Sequence, residues 1–150
     1  MNIKQKKLFI FGNGNFANLS RLYFERYTDF EFCGFVSDER DNISGAVDLA
    51  MVETYFPADS HYVFVAVGYS KMNTLREKYF NYFLGRGYRF ASFIHPNVVT
   101  WENVKIGRNC FIFENNCIQI NSTISDNTIL WSGNHIGHDS VIGRNCWVTS

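Results

Sequence analysis

An α/β domain followed by a left-handed parallel β-helix is the architecture predicted by this 150-residue sequence. Three observations carry that reading. Apolar runs alternate with helical stretches over the first ninety-odd residues, as in a parallel sheet with crossover helices. An aliphatic residue recurs at every sixth position from Ile106: Ile112, Ile118, Ile124, Leu130, Ile136, Ile142 and Val148. That period matches neither the 3.6 of a helix nor the 2 of a strand. A longer period lies over it, because Ile106-Gly107-Arg108-Asn109-Cys110 returns word for word as Ile142-Gly143-Arg144-Asn145-Cys146. Such repeats are the mark of a solenoid.

In the first half, Lys7 to Phe11 reads as a strand that runs directly into Gly12-Asn13-Gly14-Asn15-Phe16-Ala17 and a helix over Phe16 to Tyr27. This is G-x-G-x-x-A between strand and helix, where glycines permit a tight turn and free helix N–H groups face an anion. A second strand, Glu31 to Val36, ends at Ser37-Asp38-Glu39, placing an acidic residue where a ribose or base of a nucleotide is commonly met. A third strand, Tyr62 to Val67, ends at Gly68-Tyr69-Ser70. A helix over Lys71 to Phe83 with Leu75, Tyr79, Tyr82 and Phe83 on one face follows, then a strand over Arg89 to Ile94. Asn13, Asp38, Gly68 and Tyr69 thus gather at the carboxyl ends of the strands, where open α/β sheets take their ligands. The same residues also read as plain turn chemistry, and a domain this small lacks the second half of a dinucleotide fold, which disfavours NAD.

In the second half, three hexapeptides make one coil of a triangular prism. The aliphatic residue points inward and stacks on its equivalent one coil away. The small residue four positions later (Cys110, Asn116, Ser122, Thr128, Asn134, Ser140, Cys146) fits near a corner. The Ile-Gly pairs at Gly107, Gly137 and Gly143 are expected to supply the corner backbone angles. The register extends weakly back to Val104, Val98 and Ile94, so domains of 1–92 and 93–150 are expected. Because the chain stops at Ser150 inside the third coil with no cap, it is expected to be a fragment.

Composition narrows the function classes. Lys plus Arg and Asp plus Glu are 14 each, a formal net charge of zero that argues against a nucleic-acid partner. No apolar run approaches the ~20 residues of a membrane span, and no secretory signal opens the chain. Cys33, Cys110, Cys117 and Cys146 lack C-x-x-C spacing and read as reduced thiols, so a cytoplasmic location is expected.

The chemistry-bearing stretch is Trp131-Ser132-Gly133-Asn134-His135-Ile136-Gly137-His138-Asp139. With Ile136 inward, His138 and His135 face outward. A histidine near neutral pKa suits proton removal from an attacking amine or hydroxyl, and Asp139 is placed to orient it. A histidine pair without a role is the plain alternative. His135-x-x-His138 offers a metal only two nitrogens, whereas catalytic zinc normally takes three protein ligands.

Taken together, G-x-G after the first strand, Asp after the second, V-A-V-G closing the third, I-H-P before the repeats and G-H-D-S-V-I-G within them resemble the NeuD/PglD type of sugar acyltransferase. The resemblance spans essentially the whole chain and is closest to enzymes acylating nucleotide-linked 4-amino-deoxysugars. It implies a homotrimer that binds acetyl-CoA between adjacent β-helices, in coils lying largely beyond residue 150. It implies a sugar nucleotide held at Gly12, Asn13, Gly14, Asp38, Gly68 and Tyr69, and a general base at His138 with Asp139 beside it. No metal is implied. Family members often carry a histidine in the glycine loop where this chain reads Asn15-Phe16, so the nucleotide and sugar preference do not carry over. Two other readings stand beside this one: a non-catalytic β-helical nucleotide-binding or assembly module, and a β-helical zinc enzyme.

Overall fold

The computed structural model describes residues 5–38 and 45–150. The chain divides into two compact units, Met1–Gly68 with Lys78–Phe90, and Tyr69–Glu77 with Ala91–Ser150.

The first unit is built on β1 (Lys7–Phe11), β2 (Glu31–Ser37), β3 (Val47–Asp48), β4 (His61–Val65) and β5 (Arg89–Phe90), parallel strands in the order β3-β2-β1-β4-β5. β1 is central, so Leu8, Phe9 and Ile10 are fully buried, as the unbroken apolar run requires. Helix α1 (Asn15–Tyr27) buries Ala17, Ser20 and Phe24 and ends where the Thr28 N–H donates to the Phe24 carbonyl. Aromatics fill the core: Phe9 stacks on Phe56 at 5.0 Å and meets Tyr88 edge-on at 5.5 Å. β3, the 3₁₀ turn Leu49–Met51 and the four-residue helix α2 (Val52–Tyr55) are too short to show a period and are not foreseen from the sequence pattern.

Helix α3 covers Thr74–Gly85 and starts three residues later than expected. The reason is local: Lys71, Met72 and Asn73 have φ of 52°, 51° and 65°, a left-handed run that no right-handed helix can include. Its buried face also differs from the expected one. Arg76, Tyr79, Phe80 and Phe83 are buried, at i, i+3, i+4 and i+7, whereas Leu75 is only half-buried. The expected strand over Arg89 to Ile94 is two strands. Arg89–Phe90 pairs with Tyr62–Val63, and β6 (Phe93–Ile94) pairs with Phe111–Ile112 of the repeat.

The second unit is a parallel β-helix whose strands are two residues long. They are β7 (Lys105–Ile106), β8 (Phe111–Ile112), β9 (Cys117–Ile118), β10 (Thr123–Ile124), β11 (Ile129–Leu130), β12 (His135–Ile136), β13 (Val141–Ile142) and β14 (Trp147–Val148). They form three faces, β7-β10-β13, β6-β8-β11-β14 and β9-β12. The register steps by 18 residues, as in Ile106↔Ile124↔Ile142 and Ile118↔Ile136. The interior is the expected aliphatic column: Ile112, Ile118, Ile124 and Leu130 are fully buried, while Ile106, Ile142 and Val148 at its ends are partly so. Cys110 is buried in the same cluster, and burial pushes its thiol up to about 11, which suits a small packing residue.

The corners are not made as expected. Gly107, Gly137 and Gly143 have no left-handed backbone; the left-handed residue comes two positions later, three beyond each inward aliphatic. There stand Asn109, Asn115, Asn121, Asn127, Gly133, Asp139 and Asn145, with φ between 53° and 81°. Asn, Asp and Gly are the residues that tolerate this region best. Gly107 is required for a different reason: a Cβ there would lie 2.5 Å from Asp126 Oδ1 and 2.7 Å from Asp126 N.

Candidate functional site

Two sets of candidate residues lie in the two units. In the first unit the loop after β1 holds Gly12, Asn13 and Gly14. Gly12 has φ 142°, its N–H donates to the Val36 carbonyl at 2.9 Å, and a Cβ would lie 2.5 Å from the Ala66 carbonyl oxygen. Backbone here passes too close for any side chain, as the glycine motif demands. Gly14 is the N-cap of α1, its carbonyl accepting from Ala17 and Asn18 N–H, and it has open space around it. Asp38 follows β2 and Gly68 lies beyond β4, so these residues share the carboxyl edge of three adjacent parallel strands. The Tyr79 hydroxyl donates to Asp38 Oδ2, and Asp38 is exposed. Glu39 lies outside the described residues.

Tyr69 belongs to the second unit, 66% exposed, its ring edge against Trp147 at 5.4 Å. Close by in this unit is Arg76, fully buried, which the sequence reading passed over because an arginine on a helix is ordinarily solvated. Its Nη2 donates to the Asn127 carbonyl at 2.9 Å and the Cys146 carbonyl at 3.1 Å, and burial lowers it to about 10.

His138 and Asp139 occupy the corner after β12, a different face from Trp147. Both are largely exposed, with side chains 70% and 61% accessible, and His138 Nδ1 lies 2.6 Å from Asp139 Oδ2. The His138 N–H donates to Gln119 Oε1 at 3.0 Å, and Asn121 Nδ2 donates to Asp139 Oδ1 at 3.0 Å. Bonding to His138 first, and to Asn121 second, holds the Asp139 carboxyl below the usual carboxylate range. A carboxylate 2.6 Å from Nδ1 favours the tautomer with the proton on that nitrogen, in which Nε2 is the acceptor. Such an imidazole can accept a proton from an incoming nucleophile. His135 is exposed one residue before Ile136, as its position predicts. Among the described residues no group of three or more His, Cys, Asp or Glu could hold a metal ion, and no helix is long and apolar enough to cross a membrane.

No protein-family model and no curated protein matches the sequence. Solved structures do share its fold. PerB from Caulobacter crescentus, determined with CoA and GDP-perosamine, superposes with a TM-score of 0.80 at 22% identity, over 94% of this chain and 67% of that one. The acetyltransferase domain of PglB from Neisseria gonorrhoeae gives 0.79 at 18% identity over 96% and 71%. WeeI from Acinetobacter baumannii gives 0.54 at 17% identity over 96% and 89%. A histidine-to-asparagine mutant of the Caulobacter perosamine N-acetyltransferase also shares the fold, with a TM-score of 0.79 at 21% identity over 94% and 67%.

Proposed function

We propose that this chain belongs to an acetyl-CoA-dependent acetyltransferase that acylates an amino or hydroxyl group of a nucleotide-linked sugar, with His138 as general base and Asp139 orienting it. The observation that carries the reading is the His138–Asp139 pair, 2.6 Å apart on an exposed corner of a β-helix. Support comes from the fold shared with PerB, whose structure contains CoA and GDP-perosamine. On this reading the coils are left-handed, the first unit is a Rossmann-like nucleotide domain, and the protein acts as a cytoplasmic homotrimer. The nucleotide contacts are Gly12, Asn13, Gly14, Asp38 and Gly68, with Tyr69 as a further substrate contact. A 4-amino-deoxysugar is the proposed acceptor.

In the proposed reaction the acceptor nitrogen or oxygen attacks the thioester carbonyl carbon. His138 Nε2 takes the acceptor proton as that bond forms, and Asp139 stabilises the imidazolium. Backbone N–H groups hold the charge on the thioester oxygen. Collapse breaks the carbon–sulfur bond, and the imidazolium returns its proton to the departing thiolate, so no acyl-enzyme is formed.

His138→Asn tests the assignment. Transfer from acetyl-CoA to an amino-sugar nucleotide should fall by roughly 10²–10⁴-fold, while calorimetric affinity for that nucleotide is unchanged. Unchanged transfer would remove the general base. Absence of binding to every UDP-, dTDP-, GDP- and CMP-linked sugar, by folded protein, would remove the nucleotide half of the proposal.

A further inference from the structure

Each corner of the β-helix carries a ladder of side-chain amides spaced 18 residues apart. Asn97 Nδ2 donates to Asn115 Oδ1 at 3.0 Å, Asn109 Nδ2 to Asn127 Oδ1 at 2.8 Å, and Asn127 Nδ2 to Asn145 Oδ1 at 2.8 Å. At the third corner Asn103 Nδ2 donates to Asn121 Oδ1, and Asn121 Nδ2 to Asp139 Oδ1 at 3.0 Å. Every ladder runs in one sense, the earlier amide nitrogen donating to the later oxygen. Among the seven left-handed corner positions six are Asn or Gly, and Asp139 is the single carboxylate. Asparagine would make the same turn and accept the same bond, so turn chemistry alone does not call for Asp at 139.

We propose that Asn121 is a positioning residue for the His138–Asp139 pair: its amide engages one carboxylate oxygen of Asp139 and so commits the other to the histidine ring. The inference rests on the proposed role of His138. Two features fix the direction of the Asn121 amide. Its oxygen is taken by Asn103 Nδ2, and the Asn121 backbone N–H donates to Asn103 Oδ1 at 3.3 Å, so the side-chain NH₂ faces Asp139. With Oδ1 occupied, Asp139 Oδ2 is left for His138 Nδ1. Loss of the Asn121 donor frees the carboxylate to rotate and leaves the ring without a fixed partner. Gln119 acts beside it, its Oε1 accepting the His138 backbone N–H.

The test compares Asn121→Asp with Asn115→Ala. Asn121→Asp keeps the side-chain shape but replaces the donor with an acceptor. Asn115 is also an exposed left-handed corner residue on an amide below it, but its ladder holds no carboxylate, and the histidine it meets, His95, lies on Asn97 and not on the His138–Asp139 pair. For Asn121→Asp we expect transfer to fall on the order of ten- to a hundredfold, in kcat and not in the nucleotide KM. The Asp139 carboxyl, followed by carbon-detected NMR titration, should move up towards ordinary values. Asn115→Ala should change neither. An Asp139 titration unmoved by Asn121→Asp, or equal losses of transfer in the two variants, would overturn the proposal. His138→Asn separates the two claims: if it leaves transfer intact, the general-base reading fails, while the Asp139 titration still reports on whether Asn121 sets the carboxylate.

Discussion

Two corners of the β-helix share one backbone turn and differ in what surrounds it. At one, Asn109 and Asn127 are fully buried and Asn145 is half-buried, their amides linked end to end. At the other, Asn121 and Asp139 are exposed, and the ladder ends on a carboxylate that binds a histidine. Burial decides what each ladder is for. Where water is excluded, a lost amide bond is not replaced by one to solvent, so the bonds along the ladder hold the stacked coils. Where water is present, the same bond adds little stability and is free to direct a reactive group. Exposure and a charge in place of an amide separate the chemical corner from the structural one.

The largest expected effect tests that contrast through stability. Asn127→Ala removes the bond that Asn109 donates to it and the bond it donates to Asn145, and places alanine at φ 59°. Two inter-coil bonds lost at a largely buried corner, with the left-handed cost, should destabilise by about 2–4 kcal/mol. Asn121→Ala, at φ 62° but exposed, should cost only the backbone contribution of about 1–2 kcal/mol. Denaturant midpoints of the two variants measure the difference, and equal losses would break the comparison.

A second contrast lies between two glycines. A Cβ at Gly107 would sit 2.5 Å from Asp126 Oδ1, whereas Gly85, in the last turn of α3, has nothing within 4 Å of that position. Gly107→Ala should therefore destabilise by about 1–3 kcal/mol through overpacking. Gly85→Ala should be neutral or stabilising by up to about 1 kcal/mol, since it restricts the unfolded chain. Thermal melts of the pair suffice, and a costly Gly85→Ala would show that space is not what separates them.

The repeat shows what was legible in the sequence. The hexapeptide period fixed the aliphatic column, because one residue in six must point inward whatever lies outside. The parallel strands β1, β2 and β4 were legible because a buried strand needs an unbroken apolar run. The corner residues were misassigned: Gly is the familiar turn residue, but the repeated N, N, N, N, G, D, N three positions after each aliphatic was the true signal. The start of α3 was obscured because Lys71 and Met72 are ordinary helix formers, and nothing local marks their left-handed backbone. At the candidate site, His138 and Asp139 were legible as a pair. Asn121 was not, because its contact with Asp139 exists only once coils stack 18 residues apart.

The smallest expected effect compares Asp139 with Asp126, the carboxylate that precedes the corner residue Asn127. Asp139 is largely exposed and bonded to His138 and Asn121, whereas Asp126 is more enclosed and clasped by Arg108, with Nη2 to Oδ2 at 2.7 Å and the Arg108 N–H to Oδ1 at 2.7 Å. Partial burial pushes the Asp126 carboxyl up, but the bonds from Arg108 outweigh it and hold it below the ordinary range. A carboxyl depressed in the folded state stabilises above its unfolded pKa of ~3.9 and loses that contribution as pH falls towards the folded value. Because Arg108 is half-exposed, solvent screening keeps the gain under about 1 kcal/mol. Stability measured between about pH 5 and pH 2 should fall less steeply for Asp126→Asn than for the parent protein. An unchanged slope would mean that Arg108 serves Asp126 by geometry alone, leaving the enclosed corner electrostatically no different from the exposed one.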